Sequence, residues 1–389
     1  MTVASGRSGK GLGRRGQAPH VLVVIATVFA ALVAMEAAAR VVVYGLAHWT
    51  SDPRIHADGY AGAPWVADYY KEFGESARVD WEPFVYWRNR PYAGRFINID
   101  ERGLRRTWSP PSLPTPHPRV FVFGGSTVWG TGARDDYTMP SDLARELAAR
   151  GSPAEVVNYG ESGYVSRQSL TMLMTELFAG RVPDVVVFEA GVEDTFAALQ
   201  NGKAGLPQNE RNREVEFNAA QPERVVQQWH YLTAGLTGLS GEMRRVLLAT
   251  AGGLAEATAR DSGLADDVVA SYCSEARAVT ALSREYKFQT VFLWQPAVFT
   301  KEQLTPYERS IERSFEYARP FFASVYGRLD ATGCPATRVE NLAHLFASET
   351  APMFLDAFHL TEEGNRRLAA AIAPAVAAGM SSTRPAATD

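Results

Sequence analysis

Arg119-Val120-Phe121-Val122-Phe123-Gly124-Gly125-Ser126-Thr127 is the stretch whose reading decides the fold. A short apolar run that stops at Gly-Gly carries the signature of a buried β-strand. The two glycines let the backbone turn sharply. They leave Ser126 at the mouth of the segment that follows.

Outward from this stretch the texture alternates. The pattern predicts a helix over 140–150, stopped by Gly151, then a strand over 155–158, a helix over 167–178 and a strand over 184–188. Further on it predicts a helix over 266–286, a strand over 289–294, a helix over 306–329, a short strand near 338–342 and a helix over 362–377. Strands alternating with helices of this length imply an α/β fold, with a central parallel sheet covered on both faces. No strand is evident over 195–264, which reads as a helical insertion or lid. Upstream, residues 47–118 are rich in Pro, Arg and aromatics and read as irregular structure packed on the main domain. They end in an extended connector, Pro110–Pro118. The main domain is expected over 119–380, with a disordered tail over 381–389.

In a parallel α/β sheet, sites form outside the C-terminal ends of the strands. Three stretches at such ends carry candidate residues: Gly124-Gly125-Ser126-Thr127, Asn158-Tyr159-Gly160-Glu161-Ser162-Gly163 and Gly191-Val192-Glu193-Asp194. A fourth, Asp356-Ala357-Phe358-His359, precedes the last helix. Phosphate-site readings fail on spacing. A Walker A motif needs Lys where Thr131 follows Gly130, and the dinucleotide fingerprint needs Gly where Ser126 stands. The α/β-hydrolase elbow needs Gly where Val128 stands. Singly, each stretch is weak: Gly-Gly-Ser is often a tight turn, and a His beside an Asp is more often a surface pair.

Together and in this order, the four stretches resemble the SGNH (GDSL-type) hydrolase family over about residues 80–378. The run Trp81-Glu82-Pro83-Phe84-Val85-Tyr86-Trp87-Arg88 is similar to the pre-domain segment of membrane-anchored bacterial members. The resemblance implies a flavodoxin-like three-layer sandwich and assigns roles. Ser126 is the implied nucleophile. His359 is the implied general base, which returns the proton to the leaving alcohol. Asp356 fixes the imidazole tautomer and stabilises the imidazolium. The N–H groups of Ser126 and Gly163 are implied oxyanion donors, and a side chain at 163 is expected to crowd the substrate. In the family the third donor is an Asn amide; Glu193 stands at that position here.

An ionised carboxylate accepts hydrogen bonds and cannot donate. Losing one oxyanion donor typically costs roughly 10²–10³ in kcat. Three outcomes are open. Glu193 is protonated, its pKa raised by burial, and donates; it points away while Asp194 or a neighbour adjusts the site; or the domain is a weak or dead hydrolase that keeps the fold. Other residues have plainer readings. Glu189 is an acid at the strand end with a structural role, and Asp184 a strand-start residue. Arg167 and Gln168 fit a solvated helix start better than substrate contacts. Trp129 fits a pocket wall and core packing about equally, and His230 in the insertion is incidental.

The chain has 389 residues, 46% hydrophobic and 21% charged, enough for one large α/β domain plus extensions. A formal net charge of −4, with no basic run in the body, argues against nucleic acid as a partner. The two cysteines, Cys273 and Cys334, form no CxxC or Cys/His cluster, so no metal is expected, and nothing implies a cofactor. Residues 1–20 carry Arg7, Lys10, Arg14 and Arg15 without an acid and read as a basic cytoplasmic tail. Residues 21–46 are apolar except chiefly for Thr27, Glu36 and Arg40, long enough as a helix to span a bilayer. The basic flank then places the body outside the cytoplasm. Glu36 and Arg40 share a helical face, where they pair or snorkel. A signal peptide cut near Ala37-Ala38-Ala39 is the rival reading, and it too exports the body. In an exported domain Cys273 and Cys334 are expected to pair; two buried free thiols are the alternative.

The expectation is an exported, membrane-anchored serine esterase that removes O-acyl groups from an envelope glycan or lipid. The same nucleophile would also serve an O-acyltransferase to a sugar hydroxyl, which a water-excluding lid over 195–264 would favour. A third reading, prompted by Glu193 in the donor position, is a non-catalytic envelope protein that binds glycan; the intact Ser126, Asp356 and His359 favour an active site over it. Oligomeric state is not legible in the sequence.

Overall fold

The computed structural model describes residues 17–49, 52–219 and 262–383; within its first helix, side chains are described at 22–38, 40 and 41. In chain order the elements begin with α1 (Gln17–Trp49), α2 (Val66–Ser76), β1 (Arg119–Phe123), α3 (Ser126–Trp129), α4 (Met139–Ala149), β2 (Glu155–Asn158) and α5 (Ser166–Phe178). Next come β3 (Val185–Ala190), α6 (Val192–Asn201), α7 (Glu210–Ala219), α8 (Ser262–Tyr286), β4 (Gln289–Trp294), α9 (Pro306–Ser314), α10 (Arg319–Thr332), β5 (Val339–Asn341) and α11 (Glu362–Thr383). Short antiparallel pairs, Val79–Asp80 with Arg88–Asn89 and Tyr92–Ala93 with Asn98–Ile99, precede β1.

The central sheet has the order β2-β1-β3-β4-β5, and every neighbouring pair is parallel. This doubly wound order reverses direction at β1/β3, where ligands bind in such sheets. Strand side chains alternate between two cores, as a period of two requires. Phe121, Phe123, Val186, Phe188, Phe292 and Trp294 join the core with α5, α8 and α10. Val120, Val122, Val185, Val187, Val291 and Leu293 join the core with α4 and α11. The expected three-layer α/β arrangement is therefore present.

Most element bounds match the expected ones within a few residues. The single helix expected over 306–329 is instead two, α9 and α10, separated at residues 315–318. Pro320 explains the break: inside a continuous helix it would lack an N–H and clash with the carbonyl four residues back. The last helix runs to Thr383, so residues 381–383 are helical where a tail was expected. The rest of that tail lies outside the described residues. Residues 52–118, expected to be irregular, contain α2 and the strand pairs, and they share one compact unit with the sheet. Of the insertion expected over 195–264, residues 195–219 carry parts of α6 and all of α7; 220–261, with His230, lie outside the described residues.

α1 falls in a separate unit. It starts at Gln17, within the tail expected over 1–20, whose remainder lies outside the described residues. Arg40 donates to Glu36 at 2.6 Å, the pairing expected from their spacing. Among the described residues no helix is long and apolar enough to cross a membrane.

Cys273 on α8 and Cys334 beyond α10 form a disulfide, with Cα atoms 5.3 Å apart and 61 positions between them in sequence. A crosslink closing a loop of this length contributes about 4 kcal/mol in the chain-entropy account. The Cys273→Ser/Cys334→Ser double variant is therefore expected to unfold at lower temperature and lower denaturant than the oxidised protein. Superimposable melting curves would show that the bridge adds nothing to stability.

Candidate active site

The nucleophile stretch is held from three sides. β1 ends at Phe123, and α3 begins at Ser126 as a single turn closed by Gly130, whose φ of +95° suits glycine. Asn158 at the end of β2 donates from Nδ2 to the Val128 carbonyl at 2.9 Å. The next stretch lies so close that a Cβ on Gly160 would overlap the Trp129 main-chain nitrogen. From the upstream segment comes Arg105, fully buried. It donates to the carbonyls of Gly130 and Ala133, both at 2.6 Å, and to Asp135 at 3.0 Å. Its guanidinium also lies 4.3 Å from the centroid of the buried Trp129 ring. The buried Trp129 thus packs against Arg105 and also lines a cleft at Gly163, so both of its expected readings are met.

The structure brings Ser126, His359 and Asp356 into one chain of hydrogen bonds. Ser126 Oγ is 2.7 Å from His359 Nε2, and His359 Nδ1 is 2.6 Å from Asp356 Oδ2. Asp356 Oδ1 accepts the main-chain N–H groups of Phe358 at 3.0 Å and His359 at 2.8 Å. The Asp-x-x-His spacing thus folds the acid back onto its own histidine. Burial opposes the charge on Asp356. The His359 ring and Arg54 outweigh it and hold the carboxyl well below the usual carboxylate range. Arg54 Nη1 lies 3.3 Å from Asp356 Oδ2. No local signal in the sequence pointed to Arg54 or Arg105.

Glu193 does not point away. Its Oε1 accepts the Ser126 main-chain N–H at 2.8 Å and lies 3.0 Å from Ser126 Oγ. Gly125 makes this approach possible, because a Cβ there would overlap the Glu193 carboxyl. Burial raises the Glu193 carboxyl above its ordinary pKa, against the Ser126 hydrogen bonds and the charge of His359. Beneath it, Glu189 is buried with neither carboxyl oxygen hydrogen-bonded to protein. Burial and the neighbouring Glu193 push Glu189 well above the usual carboxylate range.

Counting protons at Ser126 constrains the state of Glu193. Ser126 Oγ carries one proton and has two close neighbours, His359 Nε2 and Glu193 Oε1. With Glu193 ionised and the imidazole neutral, both neighbours only accept. Both contacts are satisfied when a second proton is present. On Glu193 it leaves His359 free to act as base; on His359 it does not.

Asp194 faces elsewhere. Its Oδ1 accepts the N–H of Ser166 at 3.1 Å and its Oγ–H at 2.6 Å. Ser166 Oγ also reaches Glu275, whose Oε1 accepts Arg167 Nε at 2.9 Å. Arg167 therefore anchors α5 to α8. Gln168, expected to be solvated, is buried and donates to the Val85 carbonyl at 2.7 Å. The upstream segment covers that helix start, a long-range contact with no local signature. Asp184 accepts the Arg119 N–H at 2.7 Å, as a strand-start residue would.

Gly163 has φ +79°. A Cβ there would meet Gln208 and Trp87 only at ordinary contact distances. The left-handed backbone conformation at 163 itself calls for glycine. A cleft of about 290 Å³ opens at Gly163, lined by Phe73, Val79, Trp87, Gln208 and Arg213 among others. Among the described residues no cluster of side chains suits a metal ion.

No protein-family model and no curated protein matches the chain. Solved structures similar to it include an acetyl xylan esterase, 16% identical, with 66% of this chain and 99% of that one covered and a TM-score of 0.37. A carbohydrate acetylesterase from Sinorhizobium meliloti is 13% identical, with 67% and 99% covered and a TM-score of 0.35. A member of the lipolytic G-D-S-L family from Veillonella parvula is 12% identical, with 66% and 97% covered and a TM-score of 0.37. The SGNH (GDSL-type) resemblance is carried by this chain's own strand order and by the placement of its four motif stretches.

Arg105 and Asp135 are both buried, and Asp135 keeps Asn98 and Arg106 as partners when Arg105 is removed. Arg105→Met is expected to destabilise the protein by about 3 kcal/mol, near the lower limit for breaking a buried ion pair. Denaturant unfolding measures this, and an unchanged midpoint would deny Arg105 its place as the clasp of the nucleophile loop.

Proposed function

We propose that this protein is a membrane-anchored, extracytoplasmic serine esterase that removes O-acyl groups from a glycan or lipid. The observation that carries the reading is the chain Asp356–His359–Ser126, with links of 2.6 and 2.7 Å. Ser126 Oγ attacks the acyl carbonyl while its proton passes to His359 Nε2. The imidazolium is stabilised by Asp356 and gives that proton to the leaving alkoxide, freeing the alcohol. Water, activated by the same imidazole, then releases the acid and restores Ser126. The anchoring part of the reading rests on the sequence, where an apolar run over 21–46 follows a basic stretch.

Glu193 works in this reading as a protonated third donor to the oxyanion, in place of an amide. Its raised pKa keeps the donor form present to higher pH than an ordinary carboxyl would. Activity then falls as pH rises through that pKa, because the ionised group repels the oxyanion and retains the Ser126 N–H.

The full-length protein is expected to hydrolyse short-chain p-nitrophenyl esters and to label at Ser126 with a fluorophosphonate. Ser126→Ala should abolish both. Identical behaviour of the two proteins would remove the esterase reading, and a silent Ser126 would leave the non-catalytic alternative. Glu193→Gln supplies a neutral donor at every pH. It is expected to lose the alkaline fall and to exceed the wild type there by roughly 10²-fold, the worth of one oxyanion donor. A variant poorer than wild type at every pH would show that the acid does something an amide cannot.

A further inference from the structure

A cation that reaches the Asp356 carboxylate comes from far upstream in the chain. Arg54 lies in the 3₁₀ turn Pro53–His56, 302 positions before Asp356. Its Nη1 is 3.3 Å from Asp356 Oδ2, the same oxygen that accepts the His359 Nδ1 bond. The guanidinium is locked in place. Nε and Nη2 donate to the two carboxyl oxygens of Asp52 at 2.9 and 2.7 Å. Asp52 also accepts the Arg54 main-chain N–H at 3.0 Å. The rings of Tyr70 and Phe73 on α2 lie 5.0 and 5.3 Å from the guanidinium carbon.

We propose that Arg54 is a positioning residue of the triad: from the upstream segment it fixes the Asp356 carboxylate against the His359 ring and tempers the pull of that carboxylate on the imidazolium. The inference rests on the esterase reading. Asp356 Oδ1 is already held by two main-chain N–H groups, and Arg54 supplies the second donor to Oδ2. A cation at this distance partly offsets the negative charge that attracts a proton to His359. Several groups surround the Asp356–His359 pair. Asp52 and Arg54 come from the 3₁₀ turn, Tyr70 from α2 and Ser126 from α3. Glu193 comes from α6, and Tyr307 on α9 bonds the Leu355 carbonyl. Arg54 is the cation in this set. A purely structural staple between segment and domain would alter stability and leave the pH dependence of catalysis alone.

The test compares full-length wild type, Arg54→Ala, Arg54→Lys and Asp52→Asn. The readouts are kcat and KM for p-nitrophenyl acetate across pH and the pH dependence of fluorophosphonate labelling at Ser126, each corrected for folded fraction. In Arg54→Ala the acid limb of kcat/KM is expected to move to higher pH, with kcat down about tenfold from lost orientation and KM little changed. Arg54→Lys keeps the charge and holds the acid limb near that of wild type. Asp52→Asn leaves Arg54 less neutralised, so its acid limb moves the opposite way, to lower pH. This arm stands alone if Arg54→Ala does not fold. Acid limbs that coincide in all folded variants would overturn the positioning role while leaving the esterase intact. A wild type silent towards ester and probe would overturn the esterase reading and this inference with it.

Discussion

A carboxyl pressed against a backbone N–H organises the centre of this molecule. Glu193 Oε1 on the Ser126 N–H ties the start of α6 to the start of α3, across the β1/β3 boundary of the sheet. Gly125 exists in that turn because any larger residue would displace the carboxyl. The same carboxyl oxygen also lies 3.0 Å from Ser126 Oγ, so one group touches both the main chain and the side chain of that serine. A charged Glu193 would leave the Ser126 hydroxyl with more acceptors than it has protons. Burial favours the neutral form of Glu193, and the nearby Glu189 is itself buried and unbonded to protein.

The segment before the sheet is structurally part of the site. Arg105 grips the carbonyls that follow α3. Trp87 donates to the Ser162 carbonyl at 3.0 Å, and the Asn89 N–H donates to Glu161 at 3.1 Å. Burial pushes the Glu161 carboxyl up to about 7, against the pull of Arg88. Arg54 reaches the Asp356 carboxylate. Each of these contacts replaces water at a strand end with a fixed dipole or charge. Preorganised groups of that kind are what stabilise developing charge without reorganisation.

The sheet was legible because its signals are local. Apolar runs ending in glycine marked β1 and β3, and the Asp-x-x-His spacing marked a self-contained pair. The position of Glu193 was legible too, since it depends only on counting from Gly191. Its direction was not, because that depends on Gly125 lying 68 positions away in the chain and side by side with it in space. Gln168 and Arg54 were missed for the same reason: their partners, Val85 and Asp356, arrive through tertiary packing. The break between α9 and α10 did leave a trace. Pro320 sits in the first turn of α10, where proline is tolerated, and not where a continuous helix would need an N–H.

The two outer strands of the sheet are its shortest, β2 with four residues and β5 with three. Beside β2, Arg105 bridges to Asn158 at the strand's C-terminal end. An open parallel sheet has two borders whose unpaired N–H and C=O groups invite a strand from another copy. Here one border is brief and partly covered by the chain's own upstream segment, and the other is briefer still. The fold thus offers little template for edge-to-edge aggregation, a hazard that grows wherever copies are held at high local density.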